Sequence, residues 1–507
     1  MRKMLLSLAA AAFVANACAS SGMPASTPGV VNPGHHDPPI AYPSAAAPYP
    51  TQPGGVTYQD PGKNPWVDPA RDGESTFGLD VDTASYTIAR QYVHDGLAPD
   101  PSSVRVEEWV NAFEQGYPAP ERDAFAILAD GGPTPFTAED EVLLRVGLQA
   151  RDVAARDREK ASLTFVVDTS GSMEQGGRLE MVKEAMRILI RGLDRDDRVA
   201  IVTFGDEARV VLGPTPATQD AAILDALDGL HPGGSTNLAD GLRLGYELAR
   251  QTLTENDIDR VVLASDGVAN VGLTDPQAIL AAIKRDADAG IELISVGVGM
   301  GNYNDALLEQ LADQGDGFYA YVNTPDEARK LFTEKLTSAL QTVALDAKAQ
   351  VSFDRDAVLA YRLVGYENRA IGDNDFTNDD VAAGAIGAGH SVTALYALRL
   401  ARDAAPGSHL ATIRLRWTDP ERGGPSELSR EVSARDVAAP FARADPHFRF
   451  DAIVAATAEL VRGSELGSRM DIRSVADLAN REAELLPQTD EVHAFLELLD
   501  DLGRLRG

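Results

Sequence analysis

Leu163-Thr164-Phe165-Val166-Val167-Asp168-Thr169-Ser170-Gly171-Ser172 joins an apolar run to a loop with a side-chain oxygen at every second position. The run Leu163–Val167 reads as a strand buried on both faces, the character of a central strand in a parallel sheet. Two further loops share its chemistry. Gly233-Gly234-Ser235-Thr236-Asn237 offers Thr236, and Ala264-Ser265-Asp266-Gly267 offers Asp266 directly after the apolar run Val261–Ala264. In an open α/β sheet, residues just past the carboxyl ends of parallel strands line one crevice. Asp168, Ser170, Ser172, Thr236 and Asp266 are therefore expected around one point.

The set suits a divalent cation. Two carboxylates balance a doubly charged hard ion, and three hydroxyls supply neutral oxygens compatible with octahedral coordination. Mg²⁺ fits, and the same oxygens suit Mn²⁺. Hydroxyls donate little charge, so the ion stays electrophilic and able to accept an Asp or Glu carboxylate from a protein partner. The pattern resembles the metal-ion-dependent adhesion site of von Willebrand factor type A domains. The resemblance implies that the two serines and the threonine bind Mg²⁺ directly or through water, with the aspartates often acting through water.

Rival readings of these residues fit less well. An EF-hand loop beginning at Asp168 would need Gly at its sixth position and Glu at its twelfth, where this chain has Met173 and Leu179. A phosphatase with an aspartyl nucleophile would want Asp at position 170. Asp168–Ser172 taken alone also reads as a polar turn with Ser capping a helix; the placement of Thr236 and Asp266 argues against that.

The chain has 507 residues, enough for two or three domains, and its 44% hydrophobic content supports sizeable cores. A net charge of −31 argues against nucleic acid as a partner and against electrostatic adhesion to anionic lipid. Cys18 is the one cysteine, which excludes intrachain disulfides and cysteine metal clusters. It follows a basic Arg2-Lys3 and an apolar Met4–Val14, an export signal too short to span a membrane. Signal peptidase reading Ala15-x-Ala17 and lipoprotein processing would both cut before Cys18. A single cysteine at that point favours lipidation. The segment resembles a bacterial lipobox, with Ala15 and Asn16 as departures, and Ala19 after the cysteine implies sorting to the outer membrane.

The expected organisation is a signal peptide (1–17), a lipidated Cys18 opening a Pro/Ser/Ala-rich tether (18–73), an N-terminal associated region (74–158), the metal-site domain (159–342), a β-rich domain (343–438) and a C-terminal helical region (439–507). The central domain is expected to be a Rossmann-like doubly wound α/β sheet. Strands are expected at Leu163–Asp168, Arg198–Phe204, Ala208–Leu212, Arg260–Ser265, Glu292–Val298 and Gly317–Tyr321. The short Gly205-Asp206-Glu207 link makes Ala208–Leu212 an antiparallel edge strand. Leu179, Val182, Met186, Leu189 and Leu193 form one apolar helical stripe. The β segment after Gln341 is expected to pair with Ala124–Leu148, so that the metal domain is inserted into a β-rich one.

Several stretches outside the central domain resemble a bacterial group of von Willebrand factor type A lipoproteins. They are Ser75–Tyr86, Arg105–Trp109, Tyr117–Pro120, Gly299–Asp313, Arg449–Val454 and Leu460–Ser464. Asp80-Val81-Asp82 invites a second metal site, but the next ligand at that spacing falls on Ala84. Gly297-Val298-Gly299-Met300-Gly301 lacks the dinucleotide spacing and reads as a structural loop.

No hydrolase constellation is present: the chain lacks Gly-x-Ser-x-Gly, His-Glu-x-x-His and a P-loop. His231, five residues before Thr236, is the one candidate base for a metal-dependent hydrolase and reads better as a loop residue. The leading expectation is a non-enzymatic, lipid-anchored binding module. An envelope scaffold with a purely structural ion stands as the alternative.

Overall fold

In the computed structural model the described residues are 58, 60, 62–79, 81–153, 158–254, 257–266, 276–299, 305–332, 340–379, 381, 383–402, 404–420, 422–464, 467 and 470–505. They belong to the compact unit Tyr49–Gly507. Cys18, the export signal, most of the expected tether and Asp80 lie outside them.

The chain opens with strand β1 (Glu74–Gly78), helices α1 (Ala84–His94) and α2 (Val106–Val110), and strands β2 (Phe125–Gly132) and β3 (Glu141–Ala150). The central part follows as β4 (Ala161–Asp168), α3 (Arg178–Gly192), β5 (Arg198–Phe204), β6 (Ala208–Pro216), α4 (Asp220–Asp228), α5 (Leu238–Thr252), β7 (Ile258–Ser265), α6 (Pro276–Ala287), β8 (Ile291–Val298), α7 (Asp305–Gln314), β9 (Tyr319–Val322) and α8 (Pro325–Lys330). Strands β10 (Thr342–Phe353), β11 (Val358–Val364), β12 (Ala370–Ile371), β13 (Ile386–Gly387), β14 (Ser391–Leu400), β15 (His409–Asp419) and β16 (Gly424–Ser433) come next. Helices α9 (Pro446–Val461), α10 (Ile472–Ala483) and α11 (Asp490–Leu505) end the described chain.

The central sheet has the order β6-β5-β4-β7-β8-β9, parallel throughout except for the β5–β6 hairpin. Alternation along β4 sends Phe165 and Val167 to the face covered by Leu179, Val182 and Met186 of α3, and Val166 to the face covered by Leu242 and Tyr246 of α5. Helix α5 lies close because Gly245 has no side chain; a Cβ there would sit 2.4 Å from Val166 Cγ2. Edge strand β6 runs on to Pro216, past the expected Leu212, with two register shifts against β5. Strand β9 begins at Tyr319 rather than Gly317, because Gly317 lies against the Leu293 carbonyl and belongs to the turn.

The remaining strands form two antiparallel sheets. One has the path β12-β1-β10-β15-β16, with β13 beside β10; the other has the order β11-β14-β3-β2. Phe77, Val351, Ile413 and Leu415 of the first share a core with Leu144, Val146, Tyr396 and Leu398 of the second, which makes a sandwich. Strand β3 pairs with β14 over Glu141–Gln149 and Ser391–Arg399. The α/β domain is thus inserted between Ala150 and Thr342 of a sandwich built from both flanks. Strands β1 and β16 went unexpected: the first is short, and in Gly424–Ser433 polar side chains dominate an outer strand.

Helices α1, α2, α9, α10 and α11 cover the outer face of the second sheet, where Leu143, Val364, Leu395 and Ala397 meet Phe448, Ala452 and Phe495. Asp82, from the rejected second metal motif, is structural. It accepts the Tyr319 N–H at 2.9 Å and Arg369 Nη2 at 3.0 Å, which docks the edge strand of the α/β domain on the sandwich. The expected tether ends earlier than residue 73. Asn64 donates to the carbonyls of Leu363 and Gly365 (3.2 and 2.7 Å), and Val67 exchanges backbone hydrogen bonds with Tyr361. Among the described residues no helix is long and apolar enough to cross a membrane.

Candidate metal centre

The site grows out of three adjacent strand ends. Asp168 ends β4 and lies in register with Phe204, the last residue of β5; Ser265 ends β7 on the other side, with Asp266 next. Backbone bonds then join the loops. Thr169 N donates to Phe204 O (2.9 Å), Gly233 N to Thr169 O (2.7 Å), Gly171 N to Gly234 O (3.0 Å) and Asn237 N to Gly205 O (3.0 Å). The Thr236 loop is thereby held against both the Asp168–Ser172 loop and the end of β5. Asp206 adds a clasp by accepting the Ser235 N–H and hydroxyl, each at 2.8 Å; these bonds hold its carboxyl below the usual range.

Asp168, Ser170, Thr236 and Asp266 are all buried, and Ser172 is half-buried. Asp168 Oδ1 accepts the Ser170 N–H at 2.8 Å, and its Oδ2 accepts the Ser265 hydroxyl at 2.7 Å. The Ser170 and Ser172 hydroxyl oxygens are 3.0 Å apart. Asp266 Oδ2 accepts Arg178 Nη1 at 2.8 Å, and the same nitrogen donates to the Ser172 carbonyl at 3.3 Å. Asp266 Oδ1 is buried with no hydrogen-bond partner. The structure therefore brings Asp168, Ser170 and Ser172 into contact, links Asp266 to them through Arg178, and holds the Thr236 loop beside them.

Electrostatics follow from burial. Loss of water pushes the Asp168 carboxyl up to about 6; hydrogen bonds from Ser170 and Ser265 oppose that rise, and the Asp266 charge adds to it. Two buried carboxylates with one orphaned oxygen, beside paired hydroxyls, suit a hard cation, which would relieve their repulsion. The donor set fits the ion inferred from the sequence.

Sequence reasoning overlooked Ser265, which orients Asp168, and Arg178, read only as the start of an amphipathic helix. Gly299 is part of the same arrangement: it has φ +74° and lies against Arg178. The candidate base His231 is exposed on its loop.

A six-stranded, mainly parallel sheet carrying these loops at its carboxyl edge defines a von Willebrand factor type A domain, and the model of that family matches residues 162–334. A model described as "von Willebrand factor" matches 52–145, and one described as "Uncharacterized protein YfbK, C-terminal" matches 338–505. The chain is 36% identical over 446 residues to "Uncharacterized protein YfbK" of Escherichia coli (strain K12), covering 83% of this chain and 76% of that protein. It belongs to the YfbK family of von Willebrand factor type A proteins. "Uncharacterized protein sll0103" of Synechocystis is 28% identical over 212 residues, 42% of this chain and 49% of its own length. A solved "von Willebrand factor type A from Catenulispora acidiphila" is similar over 73% of this chain and 89% of its own, at 18% identity and a TM-score of 0.46.

Proposed function

We propose that this protein is an exported, lipid-anchored binding module that holds a divalent cation, Mg²⁺, on Asp168, Ser170, Ser172, Thr236 and Asp266. The bound ion accepts a carboxylate from an Asp or Glu of a partner protein. The observation that carries the reading is the orphaned Asp266 Oδ1, buried in the crevice that also holds the paired Ser170 and Ser172 hydroxyls. Membership of the type A family agrees with it, since such domains commonly mediate protein contacts through a metal. Cys18 supplies the anchor to the envelope, at the outer membrane. Mn²⁺ can replace Mg²⁺ on the same oxygens.

Two observations favour adhesion over a purely structural ion. The Asp168–Ser172 and Thr236 loops are already joined by backbone hydrogen bonds, and Arg178 ties Asp266 to the Ser172 carbonyl, so an ion is not needed to bring these residues together. The hydroxyl-rich ligand set leaves charge on the metal for an incoming anion. Hydrolysis would need a base, and the one candidate, His231, is exposed on its loop.

The test is recovery of partners from envelope extract on the purified full-length chain, with Mg²⁺ or with EDTA, beside Ser170→Ala/Ser172→Ala. A protein retained only with Mg²⁺ and intact serines supports the reading. Equal recovery under all conditions sinks it and leaves a scaffold whose contacts lie elsewhere.

A further inference from the structure

The crevice that holds the buried, orphaned Asp266 Oδ1 has exposed acids on its rim. Asp206 and Glu207 lie on the link between β5 and β6, and Glu174 lies on the turn after Ser172; all three are exposed. Asp206 is tied to the cation loops directly, because it accepts the N–H and hydroxyl of Ser235, the residue before Thr236. Those bonds favour its ionised form, so it keeps its charge into acid.

Little positive charge offsets these groups. Arg209, on β6, is exposed but stands 3.4 Å from Glu207. In the first turns of α5, Arg243 lies 3.6 Å from Asp240 and 2.8 Å from Glu247, which leaves that cluster one charge negative. Arg178 is buried and spends its charge on Asp266. The loops after β7 and β8 do not change the balance: residues 267–274 and 300–304 contain no Asp, Glu, Lys or Arg. The floor is also low. At Gly176 and Gly233 the space that a β-carbon would take is open, so a partner's backbone can come close there.

Two demands then conflict. A cation in the crevice calls for an anionic oxygen, while the rim repels any anion that arrives alone. A carboxylate with cationic neighbours meets both. We propose, resting on the metal reading above, that the rim selects a protein partner whose Asp or Glu ligand is flanked by Lys or Arg. The carboxylate goes to the ion and the flanking cations lie beside Glu174, Asp206 and Glu207. Exposed pairs of this kind are individually weak and are screened beyond about 8 Å at physiological salt. They govern the choice of partner and the rate of encounter more than total affinity.

The test is calorimetric titration of the full-length chain at low ionic strength with three end-blocked peptides, Ala-Lys-Asp-Lys-Ala, Ala-Gln-Asp-Gln-Ala and Ala-Glu-Asp-Glu-Ala. With Mg²⁺ the lysine peptide is expected to bind about tenfold tighter than the glutamine peptide, and the glutamate peptide more weakly than either. EDTA abolishes binding, and added salt narrows the differences. Glu174→Gln/Glu207→Gln changes two exposed side chains and should fold normally. It is expected to cut the lysine preference to about threefold and to leave Mg²⁺-dependent binding of the glutamine peptide in place. Equal affinities for the three peptides, or an unchanged preference in the double variant, overturn this inference and leave the metal reading standing. Binding that survives EDTA, or no Mg²⁺-dependent binding by any peptide, overturns the metal reading and this inference with it.

Discussion

Gly299 is shaped around Arg178: a β-carbon at Gly299 would lie 2.0 Å from Arg178 Nε. Gly299, next after β8, thus leaves room for the guanidinium, whose Nη1 reaches the Asp266 carboxylate and the Ser172 carbonyl. Arg178 brings a permanent positive charge to a site inferred to hold a cation. Arg178→Gln keeps a donor for Asp266 and removes the charge. Close unit charges near a protein surface interact by about 1 kcal/mol or more, so Mg²⁺ affinity is expected to rise about fivefold. Calorimetric titration at constant ionic strength measures it. A fall in affinity would mean that Arg178 acts chiefly by fixing the pose of Asp266.

Gly299→Ala meets two obstacles at once. Its φ of +74° is unfavourable for any residue with a β-carbon, and the new atom would overlap the guanidinium. A loss of about 1–3 kcal/mol in urea denaturation is expected. Part of it should return in the double variant Gly299→Ala/Arg178→Ala, because the clash then has no second partner. Strict additivity of the two single effects would show that the residues are not coupled.

Asp316 gives a pH prediction. It is mostly buried after α7 at φ +49°, with Lys284 Nζ 3.4 Å from its carboxylate. Burial pushes its carboxyl up to about 6, against the attraction of Lys284. The folded state therefore holds this proton more tightly than the unfolded chain. The associated stability is complete below about pH 4 and is lost as pH rises through 6. Asn tolerates the same backbone region, so Asp316→Asn should fold and flatten that part of the stability profile by an amount on the order of 3 kcal/mol. Identical slopes for variant and wild type between those pH values would refute the assignment.

The parallel sheet was legible because its strands are apolar on both faces: Val261–Ala264 and Leu163–Val167 admit few other readings. The Asp168–Ser172 loop and Asp266 were legible for the same reason, since each directly follows such a strand. Thr236 was singled out only through its loop chemistry. Arg178 was hidden because its contacts depend on three loops meeting, and in sequence it looks like one more polar residue opening a helix. Gly299 showed that no side chain was wanted, yet nothing near it in sequence named the neighbour responsible. Strands β1 and β16 escaped because short or outward-facing strands lack a strong apolar alternation.

Arg145 holds the sandwich to the helical layer, and its loss should be costly. It is buried on β3, donates to Asp130 (2.8 and 2.7 Å), Asp445 (3.0 Å) and Asp451 (2.9 Å), and lies over the Tyr117 ring. Asp451, on α9, is 1% exposed, and burial raises its pKa against the pull of Arg145. Arg145→Met leaves that carboxylate without its cation, a change that typically costs about 3–5 kcal/mol. Arg145→Met/Asp451→Leu removes both charges and should recover much of the loss, because an apolar pair needs no desolvated ions. Urea denaturation of both variants measures the difference, with Mg²⁺ titration expected to match wild type since the hub shares no residue with the cation loops. A single variant within about 1 kcal/mol of wild type would show that water reaches Asp451 and solvates it when Arg145 is gone.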